Sequence, residues 1–174
     1  RIKAEISRIN NMMGALRDMS RLDLTTLEKK RINLSTIAHY LSETLQITVA
    51  ERQIEFCIAD EIPACCSPDL LSIVLSNLLS NAIKFSSNRE RAMIEVGRDG
   101  DGYFVRDNGV GFDPRHADQL FSIFGRLENA EDIEGSGIGL ATAYLIIARH
   151  GGRIWAESKP DQGATFYFTL PDDC

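Results

Sequence analysis

The chain has 174 residues, 44% of them hydrophobic and 25% charged, which suffices for one packed core plus an appendage. Its net charge of −6 argues against nucleic acid as the main partner, because an acidic surface repels a phosphate backbone. Any phosphate-bearing ligand must therefore meet cations placed locally.

No apolar run approaches the roughly 20 residues of a membrane-spanning helix, and no signal peptide is seen, so no membrane contact is expected of this chain. Cys57, Cys65, Cys66 and Cys174 match no zinc-ligand spacing, and Cys65 and Cys66 are adjacent. The reading is reduced cysteines in a cytoplasmic protein. Arg1 and its neighbours are already helical in character, without a cap or a starting methionine, which suggests a piece excised from a longer protein.

The first segment is amphipathic. Ile2, Ile6, Ile9, Met13 and Leu16 recur at steps of 4, 3, 4 and 3, a heptad seam. Such a stripe must bury itself on its own domain or on another chain. The second is favoured, because the stripe ends near Leu22 and the polar run 23–31 reads as a boundary. Residues 1–30 and 31–174 are thus expected to be separate units.

The second unit alternates helices and strands. A short strand at 32–34 precedes a helix capped by Ser35 and running to about Glu51. A strand follows at 53–59, and Pro63 breaks the chain. Ser67-Pro68-Asp69 is a helix start, with a capping hydroxyl, a proline in the first turn and an acid at the positive helix end. That helix reaches about Phe85. Strands at 92–97 and 102–106 are joined through Arg98-Asp99-Gly100-Asp101. A loop-rich stretch extends to Gly137. A helix at 138–149 ends at Gly151-Gly152, with His150 in its last turn. Strands at 153–158 and 164–170 form a closing hairpin. The sum is α+β, a two-layer α/β sandwich with a mixed, mostly antiparallel sheet preceded by one long amphipathic helix.

Four stretches carry candidate chemistry. On the helix after Ser67, Leu71, Leu75, Leu78, Leu79 and Ala82 share a core face, while Asn77, Asn81 and Lys84 lie within about 60° of one another. Amide oxygens can ligate a hard cation and a lysine can meet a phosphate, although a plain solvated face has the same composition. Asp107-Asn108-Gly109-Val110-Gly111 follows a strand. It reads as a hairpin turn, or as a carboxylate that accepts an exocyclic amine with glycines giving close backbone approach. Gly135-Ser136-Gly137-Ile138-Gly139-Leu140 opens a helix, where exposed N–H groups suit phosphates. It is neither a P-loop nor a dinucleotide fingerprint. Between these lies Phe121-Ser122-Ile123-Phe124-Gly125-Arg126-Leu127 and an acidic run, either a surface loop or a lid that brings Arg126 over phosphates.

The order of these motifs is more specific than any one of them. Together with His150-Gly151-Gly152 and Gly163-Ala164-Thr165-Phe166, it resembles the catalytic ATP-binding domain of sensor histidine kinases over about residues 31–171. The stretch 103–171 looks most like the phytochrome-like subgroup. The resemblance implies the Bergerat fold of the GHKL superfamily and binding of ATP with Mg²⁺. It implies that Asn81 coordinates the metal with Asn77 in support, and that Lys84 and Arg126 meet phosphates. Asp107 would bind the adenine amine beside Gly109 and Gly111. Phe124, Gly135, Ser136, Gly137, Ile138, Gly139 and Leu140 would shape the lid and phosphate loop. Most ATPases of this fold place a glutamate where this chain has Asn77, which favours a histidine kinase.

The family's phosphoacceptor histidine sits before an acid in a characteristic box. His39 reads as helix packing, His116 as solvated and His150 as favourable at a helix C-terminus, and none has that context. The segment 2–22 resembles the second helix of the dimerisation hairpin, so the acceptor would lie upstream of Arg1. The implied partners are a second copy through that hairpin and a response-regulator receiver domain. An ATPase of the same fold and a degenerate, non-catalytic signalling module are the alternatives.

Overall fold

The computed structural model describes residues 27–50, 52–122 and 137–174. The heptad segment and the helix expected from it lie outside the described residues.

The elements in chain order are β1 (Lys30–Asn33), α1 (Leu34–Thr48), β2 (Ile54–Ile58), β3 (Pro63–Cys66), α2 (Pro68–Phe85), β4 (Ala92–Asp99) and β5 (Gly102–Asp107). A 3₁₀ helix (Pro114–Phe121), α3 (Gly139–Arg149), β6 (Ile154–Ser158) and β7 (Ala164–Thr169) follow. Five strands form one sheet in the order β2-β4-β5-β7-β6, and β1 pairs with β3 as a separate ribbon. Among the described residues only β2–β4 is parallel, and the other pairs in both sheets are antiparallel. The expected mixed, mostly antiparallel two-layer sandwich is therefore present.

Alternation decides which sheet face is covered. Ala92, Ile94 and Val96 on β4 are buried, whereas Met93 is exposed and Glu95 half-buried. The buried rows of β4, β5 and β7 meet Leu71, Leu75, Leu78 and Leu79 of α2 and Ile146 and Ile147 of α3 in one core. Truncating any of these fully buried leucines to alanine removes packing worth about 2–5 kcal/mol. The opposite face is polar and aromatic, with Arg106 on Glu95 at 2.9 Å and Trp155 stacked on Tyr167. No helix among the described residues is long and apolar enough to cross a membrane.

Several local expectations are corrected. Asn33, not Ser35, caps α1: its Oδ1 accepts the Ser35 N–H at 3.1 Å and the Ile62 N–H at 3.0 Å. Ser35 instead donates its hydroxyl to the Ala59 carbonyl. Pro63 does not interrupt the chain but opens β3, since the first residue of an edge strand loses nothing by lacking an N–H. His39 is exposed rather than packed. Cys65 and Cys174 are joined by a disulfide across 109 residues, so not all four cysteines are reduced. Their spacing concealed this; the β1–β3 ribbon brings Cys65 beside the C-terminal tail, where Lys29 also meets Asp173 at 3.4 Å. Cys57 and Cys66 remain free.

Helix α2 starts at the expected place, with Pro68 in its first turn and Asp69 near its positive end. The Ser67 hydroxyl makes no cap bond; the Ser67 N–H donates to His150 Nε2 at 3.0 Å. At the other end Arg52 donates to the carbonyls of Ile83 and Ser86 at 2.8 and 2.9 Å. A cation on the last carbonyls suits the negative end of the helix dipole.

His150 lies at the end of α3 as expected, but its role is not the charge that the helix dipole would favour. It is 2% exposed, and its Nδ1 donates to the Ile146 carbonyl at 2.8 Å. A carbonyl on one nitrogen and an N–H on the other require the neutral ring. Burial holds its pKa below the ordinary 6.5, outweighing the bond to Ile146, with Lys29 and Arg149 adding to the depression. The unfolded ring takes up a proton as pH falls through about 6.5, while the buried ring resists. Stability from this group is therefore full above that value and is lost as pH falls toward the native pKa. The urea midpoint is expected to be lower at about pH 5 than at about pH 7.5, with the difference reduced in His150→Gln. An unchanged pH dependence in that variant contradicts the assignment.

Candidate functional site

One side of α2 is core; the other forms the floor of the site. Asn77 and Asn81 are half-buried and Lys84 is exposed, as the spacing requires. None of the three side chains has a hydrogen-bond or ion-pair partner among the described residues. Two glycine-bearing segments rest on this helix. A Cβ on Gly139 would stand 2.9 Å from Asn77 Oδ1, so the start of α3 is seated against that amide. A Cβ on Gly109 would stand 2.3 Å from the Phe85 carbonyl, which also accepts the Val110 N–H at 3.0 Å. The Gly109 contact is with backbone and leaves no room for a side chain, whereas a side chain at Gly139 would require Asn77 to shift. Asn81 lies one helical turn from each, between the two segments.

Asp107 ends β5 and is 5% exposed. Its Oδ1 accepts the Gly109 N–H at 2.8 Å, and the Ala164 N–H also bonds to it. It has no ion-pair partner among the described residues. Burial raises its pKa from 3.8 to about 6, against the lowering effect of the two backbone bonds. A buried carboxylate without a cation costs stability, which its two backbone bonds offset only in part. Such groups in a cleft mark functional sites, and this one retains lone pairs that can accept an amine N–H.

The segment after Asp107 is not a hairpin turn. Asn108 closes the end of β4, with its Oδ1 on the Met93 N–H and its Nδ2 on the Arg91 carbonyl. Gly111 has φ +62°, and a Cβ there would stand 2.2 Å from the Lys159 carbonyl. Gly163, at φ +87°, brings its Cα side against the Asp107 carbonyl, where a Cβ would be 1.9 Å away. The β6–β7 turn is thus pressed under the 107–111 segment. Ser158 Oγ joins the two, accepting from Phe112 N at 2.8 Å and donating to the Gly163 carbonyl at 2.7 Å.

At the second segment, Ile138 stands at the N-cap of α3 without a side-chain cap bond. Among the described residues, no side chain accepts from the first N–H groups at the positive end of α3. Gly137 precedes it with φ +70°. Ile138 itself is 2% exposed, so its backbone rather than its side chain is available to a ligand, and Leu140 is partly buried against the core. Phe124, Arg126, Gly135 and Ser136 lie outside the described residues. Phe121 is described, with its ring against Tyr144 and Phe166.

Sequence reasoning missed the residue that ties this site together. Arg89 Nε donates to the Asn108 carbonyl at 2.7 Å, and its Nη2 donates to the carbonyls of Gly109 at 3.0 Å and Asp161 at 2.7 Å. An isolated arginine in a polar turn carries no periodic signal, so nothing in the sequence marked it.

The chain matches the family described as histidine kinase-, DNA gyrase B-, and HSP90-like ATPase over residues 66–173. Cyanobacterial phytochrome B of Nostoc sp. is 34% identical over 172 residues, covering 95% of this chain and 23% of that protein. The methanogenesis regulatory histidine kinase FilI of Methanothrix harundinacea is 46% identical over 101 residues, covering 56% of this chain and 11% of that protein. The chain thus spans less than a quarter of the length of these relatives. Among solved structures, the catalytic domain of histidine kinase ThkA superposes with a TM-score of 0.68 at 24% identity, covering 83% of this chain and 97% of that one. Full-length ShkA in complex with AMPPNP gives 0.69 at 22% identity, covering 84% and 32%. Likeness at these identities shows the shared fold, the Bergerat fold. The chain belongs to the histidine kinase-, DNA gyrase B-, and HSP90-like ATPase family.

Proposed function

We propose that the cleft between α2, the Asp107–Gly111 segment and the start of α3 holds Mg-ATP, and that its γ-phosphoryl group passes to a histidine on a dimerisation helix. In the intact protein that group would go on to an aspartate of a response-regulator receiver domain, with the hairpin joining two copies. The observation that carries this reading is the buried Asp107 carboxylate, which has no cation partner among the described residues, beside a glycine segment that rests on a helix bearing two amides and a lysine without partners among those residues. Asp107 accepts the exocyclic amine of adenine, and Gly109 and Gly111 allow the base to lie against backbone. Asn81, between the two glycine segments, supplies a hard oxygen for Mg²⁺, with Asn77 beside it. Lys84 supplies the local cation that a chain of net charge −6 needs near phosphates, joined by Arg126 from the lid. The N–H groups at the start of α3 receive the phosphate chain.

These groups position and neutralise; none is a base. Phosphoryl transfer needs little else from the protein. An amide at Asn77 cannot take a proton from water, whereas an imidazole acceptor is already a nucleophile. That chemistry favours histidine over water as the acceptor.

Calorimetry with Mg-ADP is expected to show binding by the wild-type chain and a loss of affinity of about 10-fold or more in both Asp107→Asn and Asn81→Ala, since each removes a ligand-facing polar group. Undiminished binding by both contradicts the site. A second expectation concerns protons. Because the Asp107 pKa is raised by burial to about 6, its carboxylate is half-protonated near that pH in the free protein. Only the ionised form accepts an amine, so Mg-ADP is expected to pull the carboxyl titration, read by NMR, to lower pH. A midpoint unmoved by nucleotide contradicts the adenine contact. Steady hydrolysis of ATP by the chain alone, lost in Asn77→Ala, would instead make it an ATPase.

A further inference from the structure

Three backbone residues, Asn108, Gly109 and Val110, form the wall beside Asp107, and each of their polar groups has a partner. The Asn108 N–H goes to the Met93 carbonyl at 3.2 Å, the Gly109 N–H to Asp107 Oδ1 and the Val110 N–H to the Phe85 carbonyl. The Val110 carbonyl accepts from Asp161 N at 2.7 Å. The two remaining carbonyls, of Asn108 and Gly109, both go to Arg89. The same guanidinium reaches across to the Asp161 carbonyl, at the residue whose φ of 61° shapes the β6–β7 turn. Arg89 itself is anchored just past α2, with its N–H on the Ser86 carbonyl at 3.0 Å. It has no carboxylate partner among the described ion pairs.

We propose that Arg89 is a positioning residue for the nucleotide base: its planar fork pins the backbone on either side of Asp107 and holds the β6–β7 turn beneath it, fixing the carboxylate where adenine is read. The inference rests on the reading of this cleft as a nucleotide site. A fork of fixed N–H directions suits three converging carbonyls, whereas a lysine presents a single flexible point. Charge-assisted bonds to carbonyls are stronger than neutral ones, so the segment is held more firmly than a loop closed by backbone alone. Firm placement matters because a small displacement of the carboxylate breaks a bond to a fixed ligand amine. Without Arg89, two carbonyls of the wall lose their partner and must turn toward water, opening the loop and hydrating Asp107.

The test uses Arg89→Ala and Arg89→Lys, with Mg-ADP calorimetry and NMR titration of the Asp107 carboxyl in the free protein. Arg89→Ala is expected to lose about 10-fold or more in ADP affinity while its urea unfolding remains cooperative. Its Asp107 midpoint is expected to fall from about 6 toward the ordinary 3.8, because hydration relieves the burial that raised it. A role limited to overall stability would leave that midpoint in place. Arg89→Lys is expected to show the same two changes, smaller in size, and serves alone if the alanine variant does not fold. Wild-type affinity and a wild-type midpoint in either folded variant overturn the role of Arg89. Wild-type protein that binds no ADP overturns the nucleotide reading itself, and the inference with it.

Discussion

The site depends on two places where a glycine meets helix α2 more closely than a Cβ would allow without a shift. At one end the Phe85 carbonyl takes the Val110 N–H and touches Gly109; at the other, Asn77 lies against Gly139. The glycines set the distance, because a Cβ at either would fall inside van der Waals contact. One helix is thereby used twice, its leucine face closing the sheet and its amide face spacing two loops. The core and the candidate site share the eighteen residues of this helix, so packing its leucines on the sheet also orients its amides.

Around that frame the electrostatics are local rather than global. The chain is acidic overall, yet its buried carboxylate at Asp107 is held by N–H groups rather than by a cation. Arginines serve as backbone clamps: Arg52 on the end of α2 and Arg89 on the wall of the cleft. His150 does comparable work as a neutral ring at the start of α2. These polar side chains close backbone bonds, which keeps loops rigid without adding apolar mass.

Much of this was legible in the sequence where a local rule acts alone. Ser67-Pro68-Asp69 fixed where α2 begins, and the leucine spacing fixed its core face, so Asn77, Asn81 and Lys84 fell together as expected. Gly151 and Gly152 ended α3 as read, with their N–H groups on the Ala148 and Ile147 carbonyls. The errors lie where a distant partner overrides a local preference. Ser35 yielded the cap to Asn33 because Ile62 N–H also needed that oxygen. His150 is neutral because Ser67 arrives from 83 residues away. Cys65 finds Cys174, and Arg89 finds Asp161, only through the sheet's connectivity. Candidate site residues carried by a motif could be named; those that hold the motif in place could not.

The most direct measurement is a crystal structure of the chain with Mg-AMPPNP. The expected result is adenine between the 107–111 segment and α2, its exocyclic amine about 2.9 Å from an Asp107 oxygen, with Asn81 Oδ1 on the metal at about 2.1 Å. Nucleotide bound elsewhere, or bound in the cleft with Asp107 turned away and Asn81 off the metal, would contradict it.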